Sequence, residues 1–224
     1  MTGRSSSALV THDERDNSGT SQTVFVGVLA VLLATGWAAN HFAALMPVIA
    51  DSQHLRHATI DAIFGIYALG LVPGLLVGGR VSDALGRHTV AWSGSTIAVP
   101  GTVATLLSPR PDVLLPERLF VGAGVGLAMT AGTAWASDLK GPAGAATAGA
   151  VLTVGFAVGP FAAGVIAAAG SPGIRLSFGI AAAILVVPHW VSSPFPLGCI
   201  RDWQPRWLPA PPRWSSMAPA SSFK

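Results

Sequence analysis

Six long stretches without any Asp, Glu, Lys or Arg limit what this chain can fold into more than any other feature. They cover residues 22–50, 62–79, 89–109, 119–137, 141–174 and 176–200. A helix needs about 20 apolar residues to cross a bilayer, and each stretch reaches or approaches that length. The fifth is longer than one crossing needs and ends at the turn-like sequence Gly-Ser-Pro-Gly. The pattern predicts an all-α integral membrane protein, a bundle of six transmembrane helices.

The composition excludes several other classes of protein. Charged residues make up 10% of the chain, against about 25% in soluble domains. The net charge of +3 comes from basic residues scattered between the apolar stretches, so no nucleic-acid partner is expected. The single cysteine, Cys199, excludes an internal disulfide and a cysteine-based zinc site. We expect no cofactor and no metal.

The basic residues also predict an orientation. A cytoplasmic N-terminus places nine Lys or Arg residues on the cytoplasmic side and only three in the outer loops. Short cytoplasmic loops carry the excess of basic residues in membrane proteins. We therefore expect the chain in the plasma (inner) membrane with its N-terminus in the cytoplasm. The inner set is Arg4, Arg15, Arg80, Arg87, Lys140, Arg201, Arg206, Arg213 and Lys224, and the outer set is Arg56, Arg110 and Arg175.

The chain divides into three regions. Residues 1–21 are rich in Ser and Thr and predict a short disordered cytoplasmic tail. Residues 22–192 form the predicted six-helix bundle. Residues 193–224 are rich in Pro and Trp and show no helical or strand period, so we expect an irregular cytoplasmic tail. A truncation or a shifted reading frame would explain this abrupt change.

The turn between the second and third stretches carries the most distinctive motif. Its residues Gly79, Asp83, Gly86 and Arg87 follow the pattern G-x-x-x-D-x-x-G-R. Asp83 and Arg87 are four residues apart, so they share a face on a helical path. The turn is predicted to hold two membrane helices together and to place a charge pair at the water interface.

Polar side chains inside the apolar stretches are the candidates for function. Asn40 and His41 lie within the first stretch, and Arg118 lies at the head of the fourth, beside Glu117. Polar groups in hydrocarbon are costly unless they face a cavity or a partner helix. Asn40 and His41 either line a solute path, make interhelical hydrogen bonds, or lie close enough to the outer surface to meet water. Arg118 either reaches the outer surface or faces a wet interior, and Glu117 can be merely interfacial.

Glycines repeat in the second and fifth stretches. Both follow the spacing G-x-x-x-G-x-x-x-x-G, with a proline beside the middle glycine. Small residues at this spacing allow helix backbones to approach closely. We interpret the pattern as a weak internal repeat of three helices plus three, as transporters carry. Its members are Gly70, Pro73, Gly74 and Gly79, then Gly155, Gly159, Pro160 and Gly164.

Three of these motifs resemble signatures of the major facilitator superfamily. The turn resembles its G-x-x-x-D-x-x-G-R-[RK] loop, with His88 where a second base is usual. Arg118 begins a pattern similar to the fourth-helix signature R-x-x-x-G-x-G. The fifth stretch resembles the antiporter motif G-x-x-x-G-P-x-x-G-G, with Ala163 replacing one glycine. The resemblance covers the six stretches, and so only the N-terminal half of a twelve-helix transporter.

The resemblance implies a secondary-active transporter, with proton-coupled efflux of small molecules and no enzymatic activity. It implies a role in conformational gating for Gly79, Asp83, Gly86 and Arg87, and in proton coupling for Arg118. The first, second, fourth and fifth helices would line the cavity. The second half would come from a separate chain or from a second copy, in a homodimer.

Two other functions compete with transport. The odd tail favours a transport-inactive membrane fragment, at most a packing partner of other membrane proteins. An intramembrane serine protease would also have six helices and would need Ser and His, which Ser93 and His189 superficially offer. A nucleophile without a positioned base or an oxyanion hole is not a catalytic site, so we do not favour the protease.

Overall fold

The computed structural model describes the backbone of residues 5–108 and 110–192, and the side chains of residues 21–108 and 110–186. This part of the chain is all-helical. Its five helices are α1 (Ser5–Ser52), α2 (His57–Leu85), α3 (Arg87–Leu107), α4 (Pro111–Ala167) and α5 (Ser171–Ser192). Four helices contain segments long and apolar enough to cross a membrane: Ser21–Ser52, His57–Leu85, Arg87–Leu107 and Pro111–Ala167.

The structure describes part of one of the two tails that the sequence predicts. Helix α1 begins at Ser5, within the stretch 1–21 for which the sequence predicts a disordered tail, and its membrane-length part begins at Ser21. The predicted tail 193–224 and the side chain of His189 lie outside the described residues.

Helix α4 differs from the expectation of six separate helices, because it joins the fourth and fifth predicted crossings. It has 57 residues, which at a rise of 1.5 Å per residue is about 85 Å, far more than the ~30 Å of a bilayer core. Its backbone breaks at Lys140 (φ −133°, ψ 16°) and Gly141 (φ 62°, ψ −149°). Only glycine adopts the second conformation without strain. We call residues 111–139 the first arm of α4 and residues 142–167 the second arm.

The first arm runs antiparallel to α1. In the N-terminal half of the membrane-length part of α1, Leu32 packs against Gly132. Ten residues later, Phe42 packs against Arg118, which comes earlier in the first arm. Residue numbers therefore rise along one helix as they fall along the other.

The second arm runs parallel to α1. Leu33 lies against Gly155, and Ala44 lies against Gly164, so the numbers rise together. The two arms therefore point in opposite directions, and α4 folds back at Lys140 and Gly141.

The remaining helices pack in alternating directions around the first arm. Helix α2 is parallel to it, with Gly70 against Leu119 and Gly78 against Thr130, and α3 is antiparallel, with Gly94 against Gly124 and Gly101 against Glu117. Helix α5 is antiparallel to α1, since Phe178 contacts His41 while Leu185 clusters with Ala34 and Ala38. The start of the membrane-length part of α1, the α2–α3 turn and the α4 break therefore lie at one end of the bundle.

Large apolar side chains remain exposed on α2 and on the second arm. On α2, Leu69 is 66% exposed and Leu76 is 74% exposed. On the second arm, Phe161 is 76% exposed and Val165 is 64% exposed. Helices that are apolar on their outer faces as well as their inner ones are typical of proteins surrounded by lipid.

Candidate functional site

A buried ion pair lies at the head of the first arm. Glu117 and Arg118 are each 1% exposed. The Nε and Nη2 atoms of Arg118 donate to the two carboxylate oxygens of Glu117, a bidentate arrangement. The guanidinium carbon also lies 4.1 Å from the centroid of the Phe42 ring. Arg118 therefore does not reach the outer surface, and its charge is balanced by Glu117 and by an aromatic face.

The sequence alone did not identify Glu117 as the partner of Arg118. Adjacent residues on a helix do not usually face each other, so no spacing rule predicts this pair. Space for it comes from α3, where a side chain on Gly101 would meet the Glu117 side chain at 3.0 Å.

His41 lies on the face of α1 that packs against α5. It is fully buried, and its Nδ1 is 3.2 Å from the carbonyl oxygens of both Trp37 and Ala38. Carbonyl oxygens only accept, so Nδ1 carries the hydrogen and Nε2 is an acceptor. Nε2 has no hydrogen-bond partner among the described residues, and the ring packs edge-on against Phe178.

Asn40, one residue earlier, points to a different neighbour. It is half-buried, and its Nδ2 donates to the carbonyl oxygen of Phe156 in the second arm at 3.0 Å. This is the interhelical hydrogen bond that the sequence left open as an alternative to a solute path. Asn40 and His41 are neighbours in sequence, but their side chains contact different helices.

Arg87 joins three helix ends at the α2–α3 turn. Its Nη1 lies 2.6 Å from Asp83 and also donates to the Ser82 hydroxyl at 2.7 Å. Its Nε donates to Asp138, at the end of the first arm, at 3.1 Å. The predicted Asp83–Arg87 pair forms, and Asp138 is a third member that sequence reasoning missed. Asp138 is 51 residues from Arg87, so only the fold brings them together.

The two glycines of this turn have different surroundings. Gly86 separates α2 from α3 with φ 92°, a conformation that other residues adopt only with strain. Gly79 faces open space, since nothing lies within 4 Å of where its side chain would begin. Gly86 is therefore required by the backbone, whereas packing among the described residues does not require a glycine at position 79.

The glycines of the second arm bring it against the backbone of α1. A Cβ atom on Gly155 would lie 2.5 Å from the Leu33 carbonyl oxygen, and one on Gly159 would lie 3.1 Å from the Trp37 backbone. On Gly164, by contrast, it would make an ordinary 3.8 Å contact. Close packing therefore depends on the first two glycines of the motif.

The equivalent glycines of α2 act in the same way. Cβ atoms on Gly70 and Gly74 would clash with backbone oxygens of the first arm, and the third glycine, Gly79, is again free of close contacts. In each case two glycines meet a neighbouring backbone and the third does not. The matching pattern supports the internal repeat that the sequence predicts.

Comparison with known proteins agrees with these features. The 3-(3-hydroxy-phenyl)propionate transporter of Escherichia coli K12 is 29% identical over 72% of this chain and 37% of its own length. The galactose-proton symporter of the same organism is 27% identical over 56% of this chain and 28% of its own. The lincomycin resistance protein of Streptomyces lincolnensis is 30% identical over 48% of this chain and 22% of its own.

The chain spans between 22% and 37% of the length of these curated relatives. The relatives are named for transport of solutes or for drug resistance. A family model matches residues 26–197, which is most of the chain. With its membrane-length helices, this match places the chain in the Major Facilitator Superfamily.

Proposed function

We propose that this chain supplies the six-crossing N-terminal half of a secondary-active transporter that exports small molecules in exchange for protons. Superfamily membership supports transport, and relatives named as a proton symporter and as a drug resistance protein support proton coupling and efflux. The opposite directions of the two arms of α4 support two crossings within that helix. Together with α1, α2, α3 and α5 they make six.

The observation that carries the proposal is the buried Glu117–Arg118 pair. Ionisable groups within a membrane bundle are costly, and they mark ion pathways and proton relays. A proton that binds Glu117 turns its carboxylate into a neutral acid and leaves the Arg118 charge unpaired. A solute or a rearranged helix must then compensate the charge of Arg118. This step links proton binding to a change in the bundle.

The solute path in this proposal includes Asn40 and His41. Asn40 uses one N–H for Phe156, which leaves its carbonyl oxygen and second N–H available. His41 adds the Nε2 lone pair as an acceptor once its ring leaves Phe178, against which it is now buried. The cluster of Arg87 with Asp83 and Asp138 acts as the gate at the end of the bundle that we assign to the cytoplasm.

A complete transporter on this proposal requires a second half, supplied by a separate chain or by a second copy in a homodimer. The exposed apolar faces of α2 and the second arm support this requirement, because both helices offer unpartnered surface beside lipid. We place the assembly in the plasma membrane with the N-terminus in the cytoplasm.

A transport assay in vesicles tests the proposal. The full chain is reconstituted, and movement of labelled galactose, lincomycin and 3-(3-hydroxyphenyl)propionate is followed with and without a pH gradient. We expect at least one solute to move only with the gradient, and Glu117→Gln and Arg118→Met to abolish that dependence. Gly149→Ala is the control, because its side chain would meet open space. Folded protein that moves none of the solutes contradicts transport by a homodimer of this chain and favours the transport-inactive alternative.

A further inference from the structure

The second arm of α4 contains a backbone carbonyl that its own helix cannot satisfy. In an α-helix the N–H of residue 160 donates to the carbonyl oxygen of residue 156. Residue 160 is Pro160, which has no N–H, so the Phe156 oxygen loses its usual donor. In an apolar bundle, such a group needs a substitute donor from a neighbouring helix.

Asn40 of α1 provides that donor. Its Nδ2 lies 3.0 Å from the Phe156 oxygen, although the two residues are 116 positions apart. The side chain of asparagine is short, so it reaches only because the two backbones touch. Gly155 and Gly159 allow this contact, since any side chain on either would meet the α1 backbone.

We propose that Asn40 is a positioning residue: its amide replaces the N–H that Pro160 lacks and fixes the register of the second arm on α1. This assignment goes beyond the solute path, because it gives Asn40 a partner in the protein backbone. Gly155 and Gly159 of the same motif lie against α1, next to this hydrogen bond. When this hydrogen bond breaks, the second arm is free to change its tilt at Pro160.

A double-mutant cycle on the full chain in lipid nanodiscs tests the assignment. Asn40→Ala leaves the Phe156 oxygen without a donor, and we expect the melting temperature to fall by about 4 °C. Pro160→Ala restores the N–H within the helix. In the Pro160→Ala background, the fall in melting temperature caused by Asn40→Ala should be less than half of the fall in the chain that keeps Pro160. An equal fall in both backgrounds overturns the proposal.

Pro73 supplies the matched control for this cycle. It lies inside α2, directly before the middle glycine, and the recorded hydrogen bond of Asn40 goes to the second arm and not to α2. The effects of Asn40→Ala and Pro73→Ala should therefore add, as they do for independent sites. Non-additivity as large as that seen with Pro160 would also overturn the assignment.

Infrared spectroscopy gives a second readout that does not depend on the folding of the Pro160 variant. Phenylalanine is labelled with ¹³C at the carbonyl, and the Phe156 band is assigned by subtracting the spectrum of Phe156→Leu. Asn40→Leu, which is close to asparagine in shape and has no hydrogen-bond donor, should move that band to higher frequency. An unmoved band contradicts the proposal. Neither measurement uses a transported solute, so either can fail while the proposed transport stands, and the reverse also holds.

Discussion

Replacement of Gly155 by alanine tests how the bundle is held together. The new Cβ would lie 2.5 Å from the carbonyl oxygen of Leu33 and 3.1 Å from the Cα of Gly36. Ordinary contacts begin at 3.4 Å, so the first atom is about 0.9 Å too close. Both neighbours are backbone atoms and cannot rotate away. The helices must therefore separate, which also lengthens the Asn40–Phe156 hydrogen bond.

The expected loss of stability follows from this geometry. Overpacking of a close contact costs about 1–3 kcal/mol, and alanine returns up to about 1 kcal/mol through its higher helix propensity. Because the overlap is with rigid backbone, the cost lies toward the upper end of that range, at about 2–3 kcal/mol. The net loss is then about 1–2 kcal/mol, or a fall in melting temperature of about 2–8 °C for a chain of this size. Gly164→Ala is the matched control, since its Cβ would make an ordinary contact with Ala44.

Thermal unfolding of the purified chain in nanodiscs, followed by tryptophan fluorescence, measures both variants. We expect Gly155→Ala to melt below the unmodified chain and Gly164→Ala to melt at or above it. Equal melting temperatures for the two variants would refute the close contact between α1 and the second arm, because only that contact distinguishes them.

Three further predictions concern the charged clusters and the turn. Glu117→Gln leaves the buried charge of Arg118 without its counter-ion and should lower the free energy of unfolding by about 3–5 kcal/mol. The double variant with Arg118→Met should recover most of that loss. A double variant no more stable than the single one speaks against the pair. Asp138→Asn should lower the free energy of unfolding by only about 0.5–1 kcal/mol, because the salt bridge to Arg87 is partly exposed. It should nevertheless speed proteolysis near the α2–α3 turn. An unchanged cleavage rate would speak against this salt bridge. Gly86→Ala should cost about 1–2 kcal/mol through its positive φ, and a neutral effect in thermal unfolding would exclude that strain.

The sequence predicted the membrane class and the charged turn because both depend on local pattern. The charge-free stretches located α1, α2 and α3, and the four-residue spacing located the Asp83–Arg87 pair. The number of helices was harder to predict. The expected turn between the fourth and fifth crossings is a break at two residues, Lys140 and Gly141, so the helical backbone continues through it as α4.

The partners of the candidate site residues depended on the fold. Asp138 joins Arg87, and Asn40 joins Phe156, across 51 and 116 residues respectively. No sequence period connects such positions. Pro160 was the one available signal for the second pair, because a proline within a helix leaves a carbonyl that needs a donor.

Cysteine labelling tests the central claim, that α4 folds back so that its break and the α2–α3 turn lie at the same end of the bundle. Single cysteines are introduced as Ala84→Cys, Lys140→Cys and Gln53→Cys in a Cys199→Ser background, at exposed positions. A membrane-impermeant maleimide is applied to intact cells and to inverted vesicles. We predict that positions 84 and 140 react from the same side of the membrane and position 53 from the other. Labelling of positions 84 and 140 from opposite sides would contradict the account.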